Sequence, residues 1–256
     1  MVFRRIVISA LLVGALSGLL LTAVQLWQVV PIIMSAENFE GGGESIADQS
    51  AQSPTAHAQA GQAAPHDHGE AWAPEDGWQR TVFTLLANVL TAIGLALVLL
   101  TAIVTALRVN AATKLDWRHG LLWGAAGYAV FFVAPSIGLP PEIPGAAAAP
   151  LVKRQLWWLF AVASTAAGLA GAAFGKSPWR WAALALLVIP HLIGAPHPPG
   201  AMFEGHPPEA VAELTRLAKD FIGATAIANG VLWLALGLSS IWAVRRIISP
   251  SLSSQA

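Results

Sequence analysis

The sequence predicts an all-α polytopic membrane protein of about six transmembrane helices, and three observations carry that expectation. The 256-residue chain is 55% hydrophobic and 11% charged, whereas soluble domains carry roughly 25% charged residues; its mean hydropathy is +0.61. Apolar runs recur at about 6–33, 81–107, 118–135, 155–175, 179–194 and 221–244. The basic residues sort to one side once these runs are treated as crossings.

A crossing needs about 20 apolar residues and at least about 17. The first, second and last runs exceed that. The third and fifth are short, and Pro190 interrupts the fifth near its end, so five spans is the alternative count. Charge favours six. With Arg4 and Arg5 inside, six spans place nine Lys/Arg on the cytoplasmic side: Arg4, Arg5, Arg108, Lys114, Arg118, Lys176, Arg180, Arg245 and Arg246. Five fall outside: Arg80, Lys153, Arg154, Arg216 and Lys219. Orientation follows the cytoplasmic excess of basic residues, so both termini are expected inside. Of the acids, Asp116 alone falls inside, and His119 is the one histidine there. The expected outer face is acidic and histidine-rich.

Taken in order, the first run is 28 residues long. A signal-peptide core has about 7–15 and ends in an A-x-A-like site, so a retained first helix is expected. Residues 41–65, rich in Gly, Ala, Gln and Ser, lack the bulky periodic residues a core needs and read as a disordered outer loop insert. His57 within it reads as a bystander. The second and fourth runs open an internal repeat when 80–97 is laid on 154–171. Arg80/Arg154, Leu85/Leu159, Ala87/Ala161, Thr91/Thr165, Ala92/Ala166, Gly94/Gly168, Leu95/Leu169 and Ala96/Ala170 are identical, and Phe83 meets Trp157. Each copy is followed by a Trp-Arg pair and by a run closing in Pro135-Ser-Ile-Gly138 or Pro190-His-Leu-Ile-Gly194. This pattern suggests a parallel repeat of two-helix hairpins, a form known among transporters. Gly94, Gly168 and Gly171 read as close-packing positions. Before the last span, 208–220 places apolar residues at 211, 214, 217 and 218 with charges between them, which reads as a short amphipathic helix on the outer surface. The whole chain reads as one integral-membrane domain, 1–256.

The interiors of the spans lack Asp, Glu, Lys and Arg. Intramembrane ionisable groups mark proton relays and ion-coupling sites, and enzymes need acid/base or nucleophilic groups, so neither a self-sufficient proton-coupled pump nor a membrane enzyme is expected. The polar residues Gln25, Asn88 and Asn229 fall at similar depth in the outer third of their spans. They either line a common vestibule as permeation residues or hydrogen-bond helices together. The string Ala170-Gly-Ala-Ala-Phe-Gly175-Lys176-Ser177 fits a loose P-loop pattern, but a P-loop follows a strand and opens a helix, whereas this string closes a membrane helix. No nucleotide and no nucleic acid is expected as a partner; lipid is.

Two outer clusters carry the candidate metal chemistry. In the first, His66 and His68 leave an extended segment on one side, about 6.5–7 Å apart, with Asp67 and Glu70 in reach. Neutral imidazole suits divalent cobalt, nickel, copper and zinc, and carboxylates or water complete the shell. In the second, His191, His197 and His206 lie in a Pro-rich loop with Glu204, whose prolines restrict the backbone. The chain has no cysteine, so thiolate sites are excluded. The bland reading is two polar loops with incidental histidines.

Several motifs together resemble one family. They are Phe3-Arg4-Arg5 before a Leu/Gly-rich span to Val30-Pro31, His66-x-His68…Trp72-x-Pro74-x-Asp76-Gly77-x-x-Arg80-Thr81, Gly138-Leu-Pro-Pro-Glu142-x-Pro-Gly145, Gln155-x-Trp157-Trp158, and Pro190-His191…Gly194-Ala195-Pro196. The chain resembles the CbtA family of predicted cobalt transporter subunits over nearly its whole length. The resemblance implies a polytopic protein of the bacterial inner membrane, usually of about five spans, serving cobalt uptake for cobalamin synthesis. It also implies a small single-span, histidine-bearing partner (CbtB-like). The expected function is therefore a subunit of a divalent-metal uptake system with Co²⁺ as cargo, Ni²⁺ as a competitor and no tightly bound cofactor. The alternative is a structural or regulatory subunit that transports nothing.

Overall fold

The computed structural model describes residues 2–39, 74–75, 77–109 and 115–248. Among them the regular elements are helices: α1 (Val2–Gln28), α2 (Val30–Glu37), α3 (Trp78–Val109), α4 (Trp117–Gly138), α5 (Leu151–Phe174), the broken segment α6 (179–193) and α7 (Pro208–Ile248). Five of these, α1, α3, α4, α5 and α7, are long and apolar enough to cross a membrane.

The fifth predicted span, 179–194, is not a continuous helix. It is α-helical over Trp179–Ala183, tightens to a 3-10 turn over Leu184–Leu187 and resumes over Ile189–Ile193. Proline lacks the N–H that would bond one turn back, and its ring clashes with the carbonyl four residues earlier. The same cause acts in α4, where a π turn over Ala129–Val133 precedes Pro135. Although broken, 179–193 runs back along α5: Gly171 faces Ala183, Gly168 faces Leu187, and the His191 ring meets Trp157.

The second correction concerns 208–220. It is not a separate surface helix but the first turns of α7, whose α-helical part runs unbroken through Pro208–Ala243. Those 36 residues span about 54 Å at 1.5 Å each, well beyond the ~30 Å hydrocarbon layer, so the polar first turns project past it. Leu214 and Leu217 pin that projection, packing with Ala36, Ile143 and Phe203.

Arg5 donates from its guanidinium to the Ile247 carbonyl at 2.6 Å, so the start of α1 and the end of α7 share one end of the bundle, called here the terminal end. The cluster around Phe203 and Leu214 marks the opposite, loop end. The main core joins α1, α3 and α7 through residues such as Val13, Leu100, Ile103 and Leu236. Close approach depends on glycine. A Cβ on Gly18 would lie 2.6 Å from the Val89 Cα, and one on Gly124 2.5 Å from the Trp233 carbonyl oxygen. So α1 packs against α3, and α4 against α7. The two halves of the repeat are therefore built differently: α3 and α4 pack mainly on other helices, whereas α5 carries 179–193 directly.

At the terminal end Asp116 caps α4, accepting from the Arg118 and His119 backbone N–H groups at 3.0 and 3.2 Å. The His119 ring bonds its carboxylate at 2.8 Å, which holds the carboxyl below the usual range, helped by these backbone bonds against the cost of desolvation. A lowered folded value means the stabilisation is present above the unfolded carboxylate value and lost as pH falls through the folded one. Asp116→Ala is expected to lower the melting temperature near neutral pH, with Asp116→Asn retaining most of it because Asn also caps. Thermal melts from neutral pH to below the usual carboxylate range check this: the gap between the unsubstituted chain and Asp116→Ala should close at the acid end.

Candidate functional site

The loop end gathers what the second histidine cluster needs to be held in place. Trp157, buried at 7% exposure, wedges between the end of α4 and the 190–195 segment. A Cβ on Gly138 would lie 2.7 Å from the Trp157 Cζ2, with the ring's Cη2 closer still, and 2.9 Å from the Ala195 methyl, so only glycine lets these elements close. His191, half-buried, packs edge-on to Trp157 with ring centroids 6.0 Å apart. The Trp157 indole N–H is buried without an acceptor. Beyond it, Gly194 (φ +85°) and Gly200 (φ +99°) turn the chain, conformations glycine adopts at little cost. The Ala147 N–H donates to the Met202 carbonyl at 2.8 Å, tying this loop to the one before α5. His197 is exposed and His206 half-buried.

These histidines do not form a closed site on their own. Among the described residues no three His, Asp or Glu side chains come together in a group able to hold a metal ion. The first cluster, His66, Asp67, His68 and Glu70, lies outside the described residues, as do His57, Trp72 and the expected disordered insert 41–65.

Of the three intramembrane polar residues, two meet. The Asn88 amide donates to the Gln25 carbonyl at 2.6 Å and to the Thr22 hydroxyl at 3.0 Å, joining α3 to α1. Asn229 instead donates to the Thr225 carbonyl of its own helix at 2.9 Å. Gln25 and Asn88 thus act as a bridge between helices, and Asn229 is not part of it.

Directly above the bridge, a small open cleft lies at the loop end between α1, α2 and α3, with Leu26, Met34, Arg80, Thr81 and Thr84 in its wall. Thr84 sits one helical turn outward of Asn88. At its rim Arg80 makes a bidentate ion pair with Glu37, at 2.5 and 3.0 Å. The repeat counterpart Arg154 pairs with Glu142 at 2.8 Å. Sequence reasoning had aligned Arg80 with Arg154 but had not found either carboxylate partner. The equivalence was the available signal: a basic residue kept at one position of both copies needs a counter-charge at the same depth.

The model of a family described as "Probable cobalt transporter subunit (CbtA)" matches residues 3–245. No curated protein and no solved structure matches the chain.

Proposed function

From the premise that the chain belongs to the CbtA family, a family of probable cobalt transporter subunits, we propose that it captures a hydrated divalent cation, Co²⁺ first, at its loop end and hands it toward the helix bundle. The loop end is the outer face in this reading, and both termini are cytoplasmic. The observation that carries it is the family match over nearly the whole chain, joined to a histidine segment braced against Trp157 by 6.0 Å ring contact. Because His191, His197 and His206 leave the shell incomplete, His66 and His68 with Asp67 and Glu70 supply the rest from the preceding loop. The cleft above Asn88 and Gln25 is the entrance, with Asn229 further along α7.

The interiors of the membrane helices carry no Asp, Glu, Lys or Arg, so passage is channel-like or driven through a partner, such as the single-span histidine-bearing subunit that the resemblance implies. The membrane potential is the available driving force, roughly 2.3 kcal/mol per charge per 100 mV. No covalent chemistry is assigned, and the protein is read as a transport subunit rather than an enzyme. The Asn88–Gln25 bridge favours the rival reading of a structural subunit, because it gives those amides a packing role.

The absence of native cysteine allows a direct test. Single cysteines replacing Ala64 and Ala201 are expected to react with a membrane-impermeant maleimide in intact cells, and cells producing the chain with its transport partners to accumulate cobalt above cells lacking it. Labelling only after permeabilisation would overturn the orientation. Normal labelling without added accumulation would leave the structural-subunit reading.

A further inference from the structure

The terminal end of the bundle carries a knot of positive charge that no described side chain balances. Arg4 and Arg5 stand at the start of α1, and Arg245 and Arg246 at the end of α7. The 2.6 Å bond from the Arg5 guanidinium to the Ile247 carbonyl ties these helix ends together, so the four arginines share one place. Val244 and Ile248 are fully buried, which turns Arg245 and Arg246 between them outward. Both are exposed, as is Arg4. Among the described residues Arg4, Arg245 and Arg246 make no hydrogen bond or ion pair.

The sequence supplies no counter-charge on either helix near this end: no Asp or Glu precedes Glu37 or follows Asp220. Asp116, the acid on the terminal side, is committed to capping α4 and to His119. Arg118 and Arg180, also on that side, lie over the Trp117 and Trp181 rings at 5.8 and 5.4 Å. The α1–α7 arginines have no such engagement. A guanidinium stays charged at any physiological pH, and like charges held together repel, so a bound anion completes this end. The fork of N–H donors on each arginine matches phosphate oxygens in pairs.

What surrounds the arginines selects the kind of anion. Just inward on the same two helices Ile8, Leu12 and Trp242 are exposed. Trp242 lies one turn from Arg246, and tryptophan at such a position sits at headgroup depth. The surface is charged at its rim and apolar immediately inside, the pattern of an amphiphile. A soluble anion would use the arginines and leave the apolar strip idle. Basic clusters between membrane helices bind anionic headgroups in this way.

We propose that Arg4, Arg245 and Arg246, set by the Arg5 bond, form a binding site for the phosphate headgroup of an anionic phospholipid between α1 and α7. The site is one place on the molecule, distinct from the general excess of basic residues at this end.

The test titrates the purified full chain with phosphatidylglycerol and, in parallel, with phosphatidylcholine, reading bound lipid by native mass spectrometry. Phosphatidylglycerol is expected to bind at least about tenfold more tightly. Each arginine should contribute about fivefold, so Arg4→Gln costs about fivefold and Arg245→Gln with Arg246→Gln about twenty-five-fold. Lys176→Gln with Arg180→Gln removes the same charge from the α5–α6 side and should change affinity less than about twofold. All these side chains are exposed, so the variants should melt together in lipid-free detergent, and Arg4→Gln tests the site from the other helix. Equal binding of the two lipids would overturn the proposal. So would equal losses in the two double variants, or displacement of phosphatidylglycerol by millimolar inorganic phosphate. The readout is bound lipid, so its failure is distinguishable from failure of the transport reading.

Discussion

Gly237→Val is expected to separate α4 from α7 and leave little folded protein. A Cβ at position 237 would lie 2.7 Å from the Gly124 nitrogen and 2.8 Å from its Cα, with the Gly120 carbonyl closer still. All three are backbone atoms, so no side-chain rotation relieves the clash. Neither helix can slide away alone. Gly120 meets Leu238, Gly124 and Gly127 meet Trp233, and the Trp233 ring stacks on Phe131 at 5.3 Å. Tyr128 adds a bond from its hydroxyl to the Ala226 carbonyl at 3.1 Å. Overpacking a core costs typically 1–3 kcal/mol, and here two backbones must part, so a loss of at least about 3 kcal/mol is expected. That is a large share of the ~5–15 kcal/mol that holds a typical protein folded. Gly223→Val is the control on the same helix, since a Cβ there meets nothing within 4 Å; its effect should stay within about 0.5 kcal/mol. Thermal melts of both variants in detergent decide the matter. Equal behaviour of the two would contradict the α4–α7 packing.

The second large effect is on cobalt affinity. His66→Ala with His68→Ala, and separately His191→Ala with His197→Ala, are each expected to weaken Co²⁺ binding by the purified chain about 10–100-fold. Losses of that size already follow the removal of supporting groups around a metal. The reason both halves matter is geometric. The second cluster does not close a site among the described residues, so under the proposed function each loop holds only part of the shell. The His191 ring, packed on Trp157, has lost much of its freedom before cobalt arrives. His197, exposed after Pro196, is the more adaptable ligand. Nickel and copper should compete for the same imidazoles, following their higher intrinsic affinity. Spectroscopic titration with Co²⁺ measures the loss directly.

Much of the bundle was legible because hydrophobic length alone defines a membrane helix. The run 81–107 became Trp78–Val109 and 155–175 became Leu151–Phe174, with polar or proline residues marking the ends. Two local errors share a cause, namely that apolar composition does not report backbone continuity. Pro190 was visible, yet a 3-10 turn already begins at Leu184. The amphipathic pattern of 208–220 was real, but Leu214 and Leu217 face the loop-end cluster rather than a lipid surface. The pairing of helices was not legible at all. Gly120, Gly124 and Gly127 announce a close-packed face, but nothing in their spacing says that Gly237 and Trp233 lie opposite. At the candidate site, histidine identity and the proline constraints could be read. The Trp157 brace, the Glu37–Arg80 pair and the Asn88–Gln25 bridge join residues 34 to 63 positions apart in sequence, and only the fold brings them together.

The central claim is that cobalt crosses this membrane by way of histidines on the outer face. It is tested most directly by the initial rate of cobalt uptake at limiting external cobalt, in cells producing the chain and its partners. The unsubstituted chain is compared with the His66→Ala/His68→Ala and His191→Ala/His197→Ala variants at matched membrane levels. The account expects each variant to lose about tenfold or more of the chain-dependent rate, in step with its weakened affinity. A rate unchanged in both variants would contradict it.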